Sequence, residues 1–496
     1  MRTLKQVRAA IASADSEFRT CCETLFLMKR RPEKEPVGTL VLDFQPRLCT
    51  ALWKLERLYR KLFSEKRRIA QWPVSQSKQK LQRLRSIGRA LSIVESAIGI
   101  GKTLGDAFAW FFYRNNLELL EEHLKRPRQI HLPPGVGGIG ELEFVRNVKS
   151  LSGCMVLYHG TTSILRIGDF SMIDLKQLKV HSLGELKSTE TGPSTLTVQL
   201  FMTGPDLLHK KRADVLKLSK PAEPTLPKRL HDRLLRQIQQ MAHAFERAMP
   251  ERVDDISQAL DGHYGDVDKA VVSAKRGRFT YVQAGSSMLF VVYKNSAHTL
   301  FSRLDPDAEQ RWQRDLEHLP REAISIMKPG SNRNAVHIGS ILYDGDPVAP
   351  LLLGAQPLLW SPLRDDVLHQ MLFQDVVIFT LYNPAFLLDK LAARGWEIIG
   401  EKPSELALQK IDERGRCLRL ERLQYFLRLR GEYLFTDNDV EAIINQSLEL
   451  VERADIEVGT KVDFRFQHLF GPKPSVQFDC GQRRPRQAPR ILRRKP

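Results

Sequence analysis

The first 128 residues read as helix, because apolar positions recur at the spacing of a helical stripe. Leu52, Leu55, Leu58, Tyr59, Leu62 and Phe63 form one such stripe, and a further helix is expected from about Leu104 to Leu124. The pattern breaks at 130–141, IHLPPGVGGIGE, where Pro133, Pro134 and several glycines argue for a linker. A short helix is expected from about Gly140 to Leu151. Strand-like runs then follow: CMVLYH, LRIGDFSMIDL, LKVHSLGELKS and STLTVQLFM. A polar, basic loop through Pro227 precedes a helix from about Lys228 to Met249 and the strand pair FTYVQ and SMLFVVYK. From about Ser302 the chain reads as a helix, a loop rich in Gly, Asn and Asp, and a second α/β stretch with DVVIFTLYN as its clearest strand. The arginine- and proline-rich tail from Gly481 has no apolar periodicity and reads as disordered. No internal repeat is evident.

The fold class is therefore α/β (mixed α+β), with a central mixed sheet flanked by helices. Four regions are expected: a basic helical region over 1–133, an α/β core over 134–300, a C-terminal α/β region over 301–480 and a basic tail over 481–496. At 496 residues, two or three packed units are reasonable. A chain that is 42% apolar and 27% charged is not disordered throughout.

Lysine and arginine number 76 against 58 acids, a net charge of +18, which favours a polyanionic partner. Between Lys54 and Arg89 the basic residues face only two acids, Glu56 and Glu65. A helical arm with one apolar and one cationic face follows; it reads either as a phosphate contact surface or as a solvated helix face. The six cysteines, Cys21, Cys22, Cys49, Cys154, Cys417 and Cys480, form no CxxC pair and no zinc-finger spacing. With no apolar signal core at the start and no run long enough to span a bilayer, the sequence reads as cytoplasmic, without a membrane role.

The chemistry concentrates in GDFSMIDLKQLKVHSLGELKS. Two strands joined by a turn at Lys176 and Gln177 read as a hairpin, and alternation puts Glu185 and Lys187 on one face with Leu186 on the other. Mg²⁺ takes hard oxygen ligands and keeps several waters. Asp169 and Glu185 are candidate ligands, with the carbonyl of Leu186 as a third. Lys187 would orient an attacking water or stabilise charge on a phosphate. Asp174 is a rival first acid, but it shares the apolar face of Phe170 and Met172, opposite Asp169.

This arrangement resembles the PD-(D/E)XK (restriction-endonuclease-like) nuclease superfamily over residues 138 to 295. Asp169 matches the first acidic position, Glu185 the second and Lys187 the lysine. Gly168 stands where the family's proline precedes the acid. The resemblance implies a restriction-endonuclease-like core, Mg²⁺ or Mn²⁺, and hydrolysis of phosphodiester bonds in nucleic acid, DNA first and RNA second. Restriction, defence and repair all suit such an enzyme. It also implies supporting roles for a carboxylate in the preceding helix, Glu141 or Glu143, and for Arg233, Gln237 or Gln240 in the later one. The C-terminal region is left for substrate recognition or homodimerisation.

Two other readings compete. LYHGTTSILRIGDF resembles the histidine strand of ADP-ribosyltransferases, in which His159 would meet the NAD ribose and Gly160 the nicotinamide amide; Tyr264 and Tyr281 are poor stand-ins for that family's tyrosine strand. His159 is equally a supporting group beside Asp169, or a buried structural histidine. A non-catalytic nucleic-acid-binding protein is the third class. SAIGIGKT resembles a phosphate loop, but Ser96 occupies its first glycine position and no strand precedes it, so a helix is expected. His181 shares the parity of Glu185 and reads as a rim contact.

Overall fold

In the computed structural model the described residues are 2–30, 38–73, 77–127, 131–132, 135–192, 195–204, 228–247, 262–295, 323, 326–327, 337–341, 352–353, 356–399, 407–411, 415, 417–420, 423, 434–453, 461–464 and 476–481. The expected basic loop, most of the helix near 302 and the tail beyond 481 lie outside them.

Three long helices open the chain: α1 (Arg2–Arg30), α2 (Gly38–Ala70) and α3 (Ser77–Tyr113). Val7, Ile11 and Phe18 of α1, Leu48, Leu52 and Leu55 of α2, and Val94, Ile98 and Phe108 of α3 are all at most 2% exposed. Burial of these stripes, at about 25 cal/mol per Å² of apolar surface, holds the bundle together. The helix expected over 104–124 is two helices. α3 ends at Tyr113, and α4 (Leu117–Leu124) starts after a turn in which the Asn116 N–H donates to the Tyr113 carbonyl, 2.7 Å. The Asn116 side chain accepts from the Val180 amide, 2.9 Å, so the break ties the bundle to the sheet.

The glycine-rich segment corrects the linker reading, since α5 (Gly135–Asn147) takes it up. Leu142, Phe144 and Val145 bury one side of α5. A Cβ at Gly140 would come within 1.9 Å of Ser188 Oγ, so glycine lets the helix lie directly on the sheet. Tertiary contact thus outweighs the weak helical propensity of glycine.

The sheet beneath is β1 (Ser150–Leu151), β2 (Cys154–Tyr158), β3 (Phe170–Asp174), β4 (Lys179–Gly192) and β5 (Thr195–Thr203), in that spatial order and antiparallel at every pairing. A mixed sheet was expected. Parallel neighbours need a long crossover, whereas β3 to β4 and β4 to β5 join by short turns. α6 (Lys228–Arg247) packs on β4 and β5. The strand pair expected to finish this core, β6 (Phe279–Ala284) and β7 (Met288–Lys294), belongs instead to another sheet. There β7 pairs with β9 (Val376–Tyr382), and β9 with β8 (His337–Ile341). A third antiparallel sheet is built from strands between Glu397 and Gly481.

The C-terminal part docks on the helical bundle. Asp365 accepts from Arg30, Lys29 donates to the Leu363 carbonyl, 3.0 Å, and Trp360 Nε1 donates to the Ala107 carbonyl, 2.8 Å. The Trp360 ring stacks on Phe111, 5.3 Å between centroids. Among the described residues no helix is long and apolar enough to cross a membrane.

The segment resembling a phosphate loop is interior α3, and it clamps the HGTTS turn. Lys102, 2% exposed, donates to the carbonyls of Gly160 and Thr162. Asp106, 3% exposed, accepts from the Ser163 amide and hydroxyl, 2.5 and 2.6 Å, and from the Ile164 amide, 3.1 Å. Removing the carboxylate strands three buried donors, each worth about 1–3 kcal/mol. Asp106→Ala is therefore expected to lower unfolding stability by at least ~3 kcal/mol in urea titrations; a loss under ~1 kcal/mol would show that the clamp is not anchoring the turn.

Candidate active site

The site assembles where β3 begins. The run LRIGDFSMIDL is a strand only over Phe170–Asp174; His159–Thr161 form a turn of 3₁₀ helix and the chain then loops to Asp169. Gly168 explains the missing proline. Its φ of +72° is closed to proline, and a Cβ there would lie 2.7 Å from the Gly184 carbonyl oxygen and 2.9 Å from Met241 Sδ.

Asp169 is held against β4 from both sides. Its N–H donates to the Gly184 carbonyl, 2.7 Å, and its Oδ2 accepts from the Leu186 N–H, 2.7 Å. The intervening residue is Glu185, 3% exposed. Lys187 Nζ donates to Glu185 Oε1, so the two share a face as alternation requires, and Leu186 is buried opposite. Because the Leu186 amide points to Asp169, its carbonyl points to the same side of the strand. Glu141, 8% exposed, accepts a hydrogen bond from the Tyr158 hydroxyl at the same place.

Electrostatics show how close these groups stand. Burial, then Glu185, then Glu141 push the Asp169 carboxyl well above the usual range. Burial foremost, with Glu185 adding, moves Glu141 up to about 7 against the lowering effects of Tyr158, Lys102 and Lys187. Asp169, Glu185 and Glu141 thus act on one another electrostatically, with the Lys187 ammonium on Glu185. Hard oxygen donors on buried carboxylates, with mutual repulsion to relieve, fit Mg²⁺ or Mn²⁺. Among the described residues no three acidic, histidine or cysteine side chains already converge as a metal-binding group. Here each carboxylate turns to a protein partner: Leu186, Tyr158 or Lys187.

His159 lies behind Asp169, not in front of it. It is 4% exposed, its N–H donates to the Asp169 carbonyl, 2.9 Å, and both ring nitrogens are occupied. The proton positions follow from the ends of the chain. The Arg166 and Ile167 amides donate to His123 Nδ1, 2.9 and 3.0 Å, which leaves its proton on Nε2 facing the Tyr113 hydroxyl, 3.2 Å. Tyr113 then donates to Ser171 Oγ, 2.5 Å, Ser171 to His159 Nε2, 2.6 Å, and His159 Nδ1 to the Gly168 carbonyl, 3.0 Å. Burial holds both rings neutral: it takes His123 well below its ordinary value and His159 down to about 4. His159 is thus buried, with both ring nitrogens engaged within the fold.

The remaining candidates separate. Gln237 is on the side of α6 that reaches the site, one turn before Met241, and its Oε1 is sealed from solvent without a hydrogen-bond partner. Arg233 and Gln240 are exposed, and Glu143 pairs with Arg146, 3.0 Å. Asp174 caps the hairpin turn by accepting from the amides of Lys176 and Gln177, 2.8 and 3.4 Å. The pairing of β3 and β4 shifts register beside His181, which is solvent-exposed, so parity with Glu185 does not carry across. Sequence reasoning missed Gln45 of α2, whose side chain bonds the Val156 carbonyl and the Tyr158 amide, both 2.7 Å, and covers the open edge of β2. It also missed Tyr158, Ser171, Tyr113, His123 and Lys102. Tyr158 in LYHGTT, Ser171 in GDFSMIDL and Lys102 in SAIGIGKT stood within quoted motifs but were given no role. No protein-family model, curated protein or solved structure matches the chain.

A proton held more tightly by folded Glu141 stabilises the protein fully below about pH 4.5, and this contribution is lost as pH rises to about 7. Above that, the folded charge is a burden that Glu141→Gln removes, while the glutamine oxygen can still accept from Tyr158. Neutral His123 and His159 act oppositely in both proteins and cancel in the difference. The variant should be more stable than the parent by ~2 kcal/mol at pH 8 and indistinguishable at pH 4 in denaturant melts. Equal stability at pH 8 would mean that burial, with Glu185 beside it, does not hold the proton on Glu141.

Proposed function

We propose that the protein is a metal-dependent nuclease in which Asp169, Glu185 and Lys187 are the catalytic centre. The observation that carries this reading is the seating of Asp169 between the Gly184 carbonyl and the Leu186 amide, which sets its carboxylate beside Glu185 and Lys187. The overall charge of +18 suits a phosphodiester polymer, with DNA the first substrate to try and RNA the second.

In this reading Asp169, Glu185 and the Leu186 carbonyl hold the cation. When bound, Mg²⁺ or Mn²⁺ supplies positive charge against the charge that develops on the phosphate. Lys187, a quarter exposed and now engaged by Glu185, turns to the phosphate or to the attacking water and orients it. Glu141, with its carboxyl at about 7, is poised to take a proton near neutral pH. Gln237 Oε1, buried without a hydrogen-bond partner, offers a further acceptor beside the site. His159 acts through the backbone by fixing the approach to Asp169.

Incubation of linear and circular DNA, and of RNA, with Mg²⁺ or Mn²⁺ is expected to yield cleavage that chelation abolishes. Asp169→Asn, Glu185→Gln and Lys187→Ala should each slow it by about 100-fold or more while unfolding cooperatively like the parent. Cleavage that persists in Glu185→Gln, or no cleavage of any substrate with either metal, overturns the proposal.

A further inference from the structure

The basic arm carries an ordered stack of flat groups that the charge pattern alone does not show. On α2, Tyr59, Phe63 and Arg67 follow one another at intervals of four residues. The His131 ring stacks on Tyr59, 4.6 Å between centroids, and Tyr59 on Phe63, 6.2 Å at 15°. The Arg67 guanidinium lies 4.9 Å above the Phe63 ring. A second pair stands at the turn of the arm, with Arg83 5.2 Å over Trp72. Phe63 is 40% exposed, which is unusual for a ring in a helix that otherwise buries its apolar side.

Cations flank the outer part of the stack, while at its inner end the Tyr59 hydroxyl donates to Glu95, 3.0 Å. Lys66, Arg67 and Arg68 of α2 and Arg83, Arg85 and Arg89 of α3 are exposed. Glu65 is the only acid from 57 to 94. The buried Glu56 at its base accepts from His131 Nδ1, 3.0 Å, and holds that ring against Tyr59. Guanidinium groups lying on rings keep their N–H groups directed outward in the plane, where phosphate oxygens can meet them.

Spacing selects the form of nucleic acid. Groups four residues apart on a helix recur about every 6 Å, nearly twice the ~3.4 Å rise between stacked bases of a duplex strand. Bases that meet such a surface must be separated from one another. We propose that the distal half of the α2–α3 pair binds single-stranded nucleic acid, with bases on the exposed side of the Tyr59–Phe63–Arg67 stack and phosphates on the flanking arginines. The inference rests on the reading of nucleic acid as the partner. It adds that the strand reaches the protein unpaired, roughly 20 Å along α2 from the buried Cys49 to Phe63.

The test uses the full chain in EDTA, with fluorescence anisotropy of a labelled oligo-dT of about 20 nucleotides and of a duplex of equal length, from about 50 to about 200 mM salt. The single strand is expected to bind at least about tenfold more tightly than the duplex. Phe63→Ala should weaken the single strand about tenfold and leave the duplex unchanged. Arg67→Ala with Arg83→Ala should lower the salt slope by about two. Thermal melts of the variants, which alter exposed groups, confirm folding. Equal or tighter duplex binding, a neutral Phe63→Ala, or capture by phosphatidylserine vesicles in preference to the oligonucleotide each overturns the proposal. Binding is read without divalent cation, so its failure is separate from a failure to cleave.

Discussion

Two hydrogen bonds made by one residue organise the candidate site: Asp169 gives its amide to Gly184 and accepts the Leu186 amide on its carboxylate. They force an acid into a partly dry space beside Glu185 and within reach of Glu141. Like charges there oppose folding. What offsets them is local and visible: the Lys187 ammonium on Glu185, the Tyr158 hydroxyl on Glu141, and the buried Lys102 nearby. A group of charges that burdens the fold, yet is held by close-fitting elements on every side, is the pattern that functional sites show.

The rest of the structure supplies the force that keeps those charges together. α3 reaches the HGTTS turn with a buried ammonium and a buried carboxylate, and the neutral wire from His123 to His159 fastens the loop that ends at Asp169. Each member of the wire has a donor and an acceptor, so little is left unsatisfied in a region where an orphaned polar group costs about 1–3 kcal/mol. α5 brings Glu141 down onto β4, and α6 closes the side at Gly168. The long helices are thus part of the site and not a separate arm; only their distal halves point to solvent.

Much of this was legible. The hairpin and the shared face of Glu185 and Lys187 follow from period-two alternation, which a strand buried on one face enforces. The helical reading of SAIGIGKT followed from Ser96 and the missing strand. What was not legible depends on contacts distant in sequence. Nothing local marks Tyr113 or His123 as partners of Ser171, or Gln45 as the cover of β2. The glycines of 135–140 read as a linker because the tight seat of Gly140 on Ser188 comes from another element. The assignment of β6 and β7 to the first sheet failed because strand texture does not name its partner, and β9 lies some 80 residues further on.

Crystals of the parent and of Asp169→Asn soaked in Mn²⁺, with anomalous scattering recorded, test the central claim most directly. The account predicts one strong peak in the parent, ligated by Asp169, Glu185 and the Leu186 carbonyl, with Lys187 swung away from Glu185, and none in the variant. A parent site that stays free of manganese at saturating concentration, with Lys187 still bound to Glu185 and Asp169 to Leu186, would contradict it.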